Sequence, residues 1–325
     1  DSGMSNGAAE YSHFVRVTKA RNARVWGNKF SHNIGGAVLF RDVEDSSLIG
    51  NEVDDVWKDA FHATDGCRNI IRGYNIVRGG GDDAYAVVGS ITKGIMPIGI
   101  TDIGNRVYGV RKARGFAYVG CKEIDNIGCY VDGRIPANVP QQSDPAGGRY
   151  NTACALYIAA EAGYNTYGCE NVRVRGFVAE NIGPGIDSVG AITSTLQAIH
   201  INAGNGAGSP LKNISVHATL RNGTTRALFC VGNGYTQDID ADIILENNFD
   251  PLGLLSLTST PGTAAANKNA TEFQSTRNVK LKLRANMVAA GAVYMDAACS
   301  GIADLDVSVG AMSQTTVSSP IQIAS

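Results

Sequence analysis

The run Trp57-Lys58-Asp59-Ala60-Phe61-His62 is followed by Gly79-Gly80-Gly81-Asp82-Asp83-Ala84-Tyr85, and Asp59 and Asp83 stand 24 residues apart, each before an Ala. If these two segments are successive turns of a repeat, the acids become neighbours at about 4.8 Å, the spacing of adjacent strands. Carboxylates that close cannot all ionise easily, so one keeps its proton and can serve as acid while another serves as base or nucleophile. Glycoside hydrolysis needs that division of roles across a scissile bond. An Asp after a glycine run also has a plain reading as a turn-shaping residue. A pair of acids facing a third one turn away favours the chemical reading, with Asp59, Asp82 and Asp83 as the catalytic set.

The neighbouring residues suggest what would hold a substrate. Arg106, Arg111, Lys112 and Arg114 form a basic group one turn beyond the acids. It suits acidic sugar substituents through charge-assisted hydrogen bonds, and it equally suits a solvated loop. Trp57, Phe61, Tyr85 and Tyr118 offer flat faces to sugars, or else stack on one another inside the repeat. His62, beside the acids, either packs inward or faces the substrate. Asp54, Asp55, Asp59 and Asp82 supply oxygens of the kind Ca²⁺ takes, but no contiguous calcium loop is present, so neither metal nor cofactor is expected.

The elements that must position these residues are strands. Arg24-Val25-Trp26-Gly27-Asn28, Ser47-Leu48-Ile49-Gly50-Asn51 and Ile70-Ile71-Arg72-Gly73-Tyr74 overlay without a gap at a step of 23 residues, which aligns Leu48 with Ile71 and Gly50 with Gly73. Later segments recur at Val172, Ile214, Ile239, Val279 and Ile302 with alternating apolar and polar residues, and the longer steps mark coils with extended loops. A second column carries Ala at a fixed place, as in Gly36-Ala37-Val38, Asp59-Ala60-Phe61, Asp83-Ala84-Tyr85 and Arg226-Ala227-Leu228. The pattern predicts an all-β protein, a single-stranded right-handed parallel β-helix occupying residues 1–325 as one domain, with surface loops at 132–151, 202–210 and 258–275. Strand alternation starts soon after Asp1, which reads as a fragment lacking its N-terminal part.

Composition narrows the partners. Lys plus Arg number 28 against 30 for Asp plus Glu, so the formal net charge of -2 gives no field for nucleic acid. No apolar run approaches the ~18 residues of a membrane span, and no signal peptide is visible. Seven cysteines without paired spacing read as reduced, buried side chains of a protein made in a reducing cytosol, even if it then works outside a cell.

The segment from Asp59 to Gly89 resembles the polygalacturonase-type β-helix hydrolases. Their pattern runs from Asn-Thr-Asp-Gly through a strand to Gly-Asp-Asp; Asp59 holds the place of the first Asp and Gly81-Asp82-Asp83 matches the second motif. The chain also resembles β-helical phage tailspike depolymerases in overall character. The first motif lacks its Asn, Thr and Gly, and Arg114 stands where the family's Gly-His-Gly histidine would be, so an anionic glycan other than polygalacturonate is expected. The resemblance implies an endo-acting glycoside hydrolase of a virion tail or an extracellular enzyme, assembled as a homotrimer on a bacterial surface polysaccharide. Arg114, Arg111, Lys112, Tyr85, Trp57, His62 and Tyr118 would then hold the substrate. A uronate lyase or epimerase, and a glycan-binding spike without catalysis, are the alternatives.

Overall fold

The computed structural model describes residues 13–110, 113–134, 136, 152, 154–183, 197–204 and 209–222, and beyond these the strands between Arg226 and Ala324. The chain winds as a right-handed parallel β-helix, hydrogen-bonded coil to coil from Val15–Arg21 to Ile321–Ala324. Three strand columns build its walls. The column that matters for chemistry, called the head column here, stacks Phe61–Thr64, Tyr85–Val88, Arg114–Val119 and Cys154–Ala160 in parallel register.

Alternation fills the interior. Phe61, Tyr85, Phe116 and Leu156 occupy one register row of the head column and are fully buried. The first three rings stack with centroids 5.3 and 4.7 Å apart, geometry worth roughly 1 kcal/mol per pair beyond the area buried. Tyr85 and Tyr118 are therefore core residues, and their expected place as sugar platforms is corrected: neither has any exposed surface.

The repeat also differs from the gapless overlay. Val25 pairs with Leu48 as expected, but Leu48 pairs with Arg72 and Ser47 with Ile71. The extra residue enters at a corner: Arg41 still pairs with Thr64 at a step of 23, whereas Glu44 pairs with Arg68 at 24. Gly66, with φ 81, lies in that corner. A one-residue slip exchanges the two faces of a strand. Ile71 is thus 47% exposed, while Arg72 is fully enclosed.

Enclosed charge requires partners. Arg72 makes a two-pronged pair with Asp102, at 2.8 Å from Nε and 2.7 Å from Nη2, and its Nη1 donates to the Phe61 and Ala86 carbonyls. Asp102 also accepts from the Tyr118 hydroxyl at 2.8 Å and from Asn105 Nδ2 at 3.0 Å. Asn28, Asn51, Asn75 and Asn105 form a ladder at the next corner, each of the later three accepting from the backbone N–H of the one before. The five described cysteines that can be placed, Cys67, Cys121, Cys129, Cys154 and Cys169, are buried free thiols. Most of the three stretches expected as surface loops lies outside the described residues.

Candidate active site

Backbone hydrogen bonds place Asp59 and Asp83 on one register row, two residues before their strands begin: Ala60 N–H donates to the Asp83 carbonyl and Ala84 N–H to that of Arg114. Gly36, Asp59, Asp83 and Arg114 therefore follow one another down the corner of the solenoid. The glycines before Asp82 allow the coils to close there. A Cβ on Gly81 would lie 2.2 Å from the carbonyl carbon of Trp57, so any larger residue would push the two acid-bearing turns apart.

Three carboxylates converge: one oxygen each from Asp59, Asp82 and Asp83 lies within 4.8 Å of the others. Asp59 Oδ2 meets His62 Nδ1 at 2.8 Å, and its Oδ1 accepts the Asp83 backbone N–H at 3.0 Å. Asp83 accepts the Arg114 backbone N–H at 3.0 Å and has the Arg114 guanidinium 3.6 Å away. Arg114 in turn reaches Glu161 at 3.1 Å and lies 4.2 Å above the Tyr157 ring.

These contacts divide the acids electrostatically. Burial works against ionisation of Asp59, but the charge and hydrogen bond of His62, the Asp83 N–H and the charge of His13 outweigh it and hold Asp59 below its usual value. Burial and the Asp59 charge push Asp82 up to about 6, against the opposing pull of Arg114, Lys58 and His62. Asp83 is also raised well above its usual value, by burial first, with Asp82, Asp59 and Glu161 adding to it and Arg114 opposing. Asp83 and Glu161 more than offset the burial of Arg114 and hold it firmly charged.

Of the residues expected to bind substrate, Arg114, His62 and Trp57 belong to these turns. His62 faces outward to Asp59, which corrects the inward-packed reading; its side chain is 21% exposed. Trp57 is half-buried on the backbone that touches Gly81. Arg111 and Lys112 lie outside the described residues. Arg106 does not join Arg114: it opens the strand Arg106–Val110, whose far end precedes the corner. Asp54 pairs with Arg78 and Lys29, and Asp55 is buried against His32, so neither joins a cation site. Among the described residues only Asp59, Asp82 and Asp83 are close enough to share one ion.

Sequence reading missed Glu161, Tyr157 and His200. Tyr157 and His200 are register partners on the head column, ring centroids 5.1 Å apart, and burial with the Arg114 charge pushes His200 down to about 3. The available signal was the apolar run Ala155-Leu156-Tyr157-Ile158, which continues the head column 40 residues after Gly115-Phe116-Ala117-Tyr118. The long insertion between them hid the repeat.

No protein-family model and no curated protein matches the chain. Among solved structures it is similar to the catalytic domain of a GH87 alpha-1,3-glucanase in complex with tetrasaccharides, at 16% identity and TM-score 0.54 over 95% of this chain. The chain spans about half, 49%, of that structure's length. A family 28 exopolygalacturonase of Yersinia enterocolitica (9% identity, TM-score 0.36, covering 92% of this chain and 43% of that one) also aligns. So does the Streptococcus pneumoniae surface protein and adhesin PfbA, at 8% identity and TM-score 0.30, over 98% of this chain and 93% of that one. The likeness to the glucanase shows the shared β-helix fold.

Proposed function

We propose that this protein is a polysaccharide depolymerase that hydrolyses glycosidic bonds at the corner carrying Asp59, Asp82 and Asp83. One observation carries the reading: three carboxylates share a site within 4.8 Å while their environments drive their proton affinities apart. Paired acids with divergent affinities mark acid and base assignments. Asp82 at about 6 holds a proton in mildly acidic solution and donates it to the leaving oxygen. Asp59, kept ionised by His62, acts as the base toward water or the sugar. Asp83, fixed by the Arg114 N–H, shares the proton with Asp82, and Arg114 presents its charge to an acidic sugar.

The lyase alternative needs a group that abstracts a proton beside a uronate. Among the described residues Arg114 is held charged by two carboxylates, and Tyr85 and Tyr118 are sealed in the core. Lys58, exposed and with its charge reaching Asp82, is the remaining candidate for that role; the divergent proton affinities of the three acids favour hydrolysis. The finer reading is a tailspike-type enzyme of a virion, trimeric, acting on a bacterial surface glycan. The exposed apolar side chains of Trp26, Ile34 and Ile71 on the first coils support association of copies; sedimentation of the intact protein as a monomer would remove that part.

The test is release of reducing ends from a panel of bacterial capsular and other acidic polysaccharides by the protein and by Asp59→Asn, Asp82→Asn and Asp83→Asn variants. Activity that disappears in the variants with the fold intact supports the reading. Undiminished cleavage by all three overturns it, and products with the ultraviolet absorbance of an unsaturated uronate would replace hydrolysis by elimination.

A further inference from the structure

The corner between the second and third strand columns carries a turn residue in the left-handed region in coil after coil. Gly27 (φ 65), Gly50 (φ 63), Gly104 (φ 60) and Gly128 (φ 61) hold it, and glycine does so without steric cost. In the coil between Gly50 and Gly104 the residue is Tyr74, with φ 54. Of the 16 described non-glycine residues with positive φ, 12 are Asn or Asp, whose short polar side chains tolerate this backbone; the other four are Lys19, His32, Glu123 and Tyr74, the bulkiest of them. A bulky residue there is strained, and a strained exposed residue points toward function.

Tyr74 is 64% exposed and lines a shallow open groove of about 490 Å³ with Ile76, Gly104, Arg106, Gly128 and Tyr130. That volume lies within the range of ligand sites, ~300–1,000 Å³. Its floor is made by glycine. The Tyr74 ring lies on Gly104, where a Cβ would come within 2.8 Å of the ring carbons, and Gly128 has open space above it. Tyr130 forms the opposite side, its hydroxyl donating to Glu180. Ile76, Arg106 and Tyr130 are successive register partners, so the guanidinium rises between an aliphatic and an aromatic side chain. One coil row away Arg78 is neutralised by Glu52 and Asp54, whereas exposed Arg106 makes no ion pair among the described residues.

We propose that this groove is a second glycan-holding site that binds an anionic polysaccharide chain extending from the hydrolytic corner. The tyrosine rings would take the apolar faces of sugars and Arg106 an acidic substituent, the pairing for which a planar guanidinium is suited. Placement favours one continuous polymer. From Ile76 to Asp82 the chain advances six residues, at most about 20 Å at 3.3 Å per residue, so several sugar units bridge the groove and the acids. The inference rests on the reading of those acids as a hydrolytic centre only for the continuity of the polymer. Binding in the groove does not require them.

The test is affinity electrophoresis of the full chain through gels cast with alginate, polygalacturonate or xanthan as acidic probes and dextran as neutral control. Tyr74→Gly restores the residue that the other coils use, so it removes the ring without disturbing the fold; Arg106→Gln removes the charge. The protein should be retarded by at least one acidic gel and not by dextran. Tyr74→Gly and Arg106→Gln should lose at least fivefold in apparent affinity, with Tm of Tyr74→Gly unchanged or higher. Retardation of Tyr74→Gly and Arg106→Gln like the parent, or no retardation in any acidic gel, overturns the groove. Loss of cleavage in Asp82→Asn reports separately on the hydrolytic reading, so the two fail by different signatures.

Discussion

Arg72 and Asp102 lie inside the solenoid in the same stretch of coils whose corner carries Asp59, Asp82 and Asp83 on the outside. The inner pair has opposite signs, two parallel hydrogen bonds, and further partners in Tyr118, Asn105 and two backbone carbonyls. The outer group has three acids, an Arg114 shared between Asp83 and Glu161, and a histidine bonded to Asp59 whose charge, with that of Lys58, also reaches Asp82. A satisfied buried network holds one structure in place, whereas a crowded set of like charges holds protons at unusual affinity. On the proposed reading the first is structural and the second chemical, although both are clusters of charged residues on adjacent coils.

The contrast can be broken most sharply at Asp82. Asp82→Asn should lower kcat by about 10²–10⁴-fold, the range for a general acid, with unchanged circular dichroism. Arg72→Met should instead leave any residual chemistry intact and cost about 3–5 kcal/mol of stability, since it strands Asp102 in the core. Denaturant unfolding would measure that loss, and a wild-type midpoint would mean that the inner pair is dispensable.

Asp83 tests the tension itself. An acid whose affinity for protons is raised by folding stabilises the fold below its unfolded pKa, near 4, and that contribution is lost as pH rises through the folded value. Asp83→Asn should therefore stabilise the protein at pH 7 by on the order of 1 kcal/mol, or roughly 1.5 °C in Tm, and give no gain at pH 4. Thermal melts at the two pH values check the sign. His62→Ala removes the partner that keeps Asp59 ionised, so the acid limb of the pH–rate profile should move upward, while His62→Asn, which keeps a donor near Nδ1, should move it less. The smallest effect is expected at Ile71: because it faces out, Ile71→Lys should change stability by no more than about 0.5 kcal/mol. A loss of several kcal/mol there would restore the gapless register.

The β-helix, its head column and the adjacency of Asp59 to Asp83 were legible in the residues, because a strand repeat writes its period into every coil and the two acids share one place in it. The phase within a coil was less legible. Gly73 resembles the earlier turn glycines, yet the structure gives the turn to Tyr74, and the Asn28, Asn51, Asn75 ladder was the cue to the added residue.

Sequence by itself determined which residues recur and therefore which coils stack. Only the tertiary structure decided which way each side chain faces and what surrounds it. Strand side chains alternate with a period of two, so one residue added near Gly66 moved Arg72 inward and Ile71 outward. Tyr85 and Tyr118 entered the core by the same alternation, and the insertion before Cys154 brought Glu161 and Tyr157 to Arg114 across more than 40 residues of chain. Hydrogen bonding between coils sets those pairings, and it acts through space on residues that the chain keeps far apart.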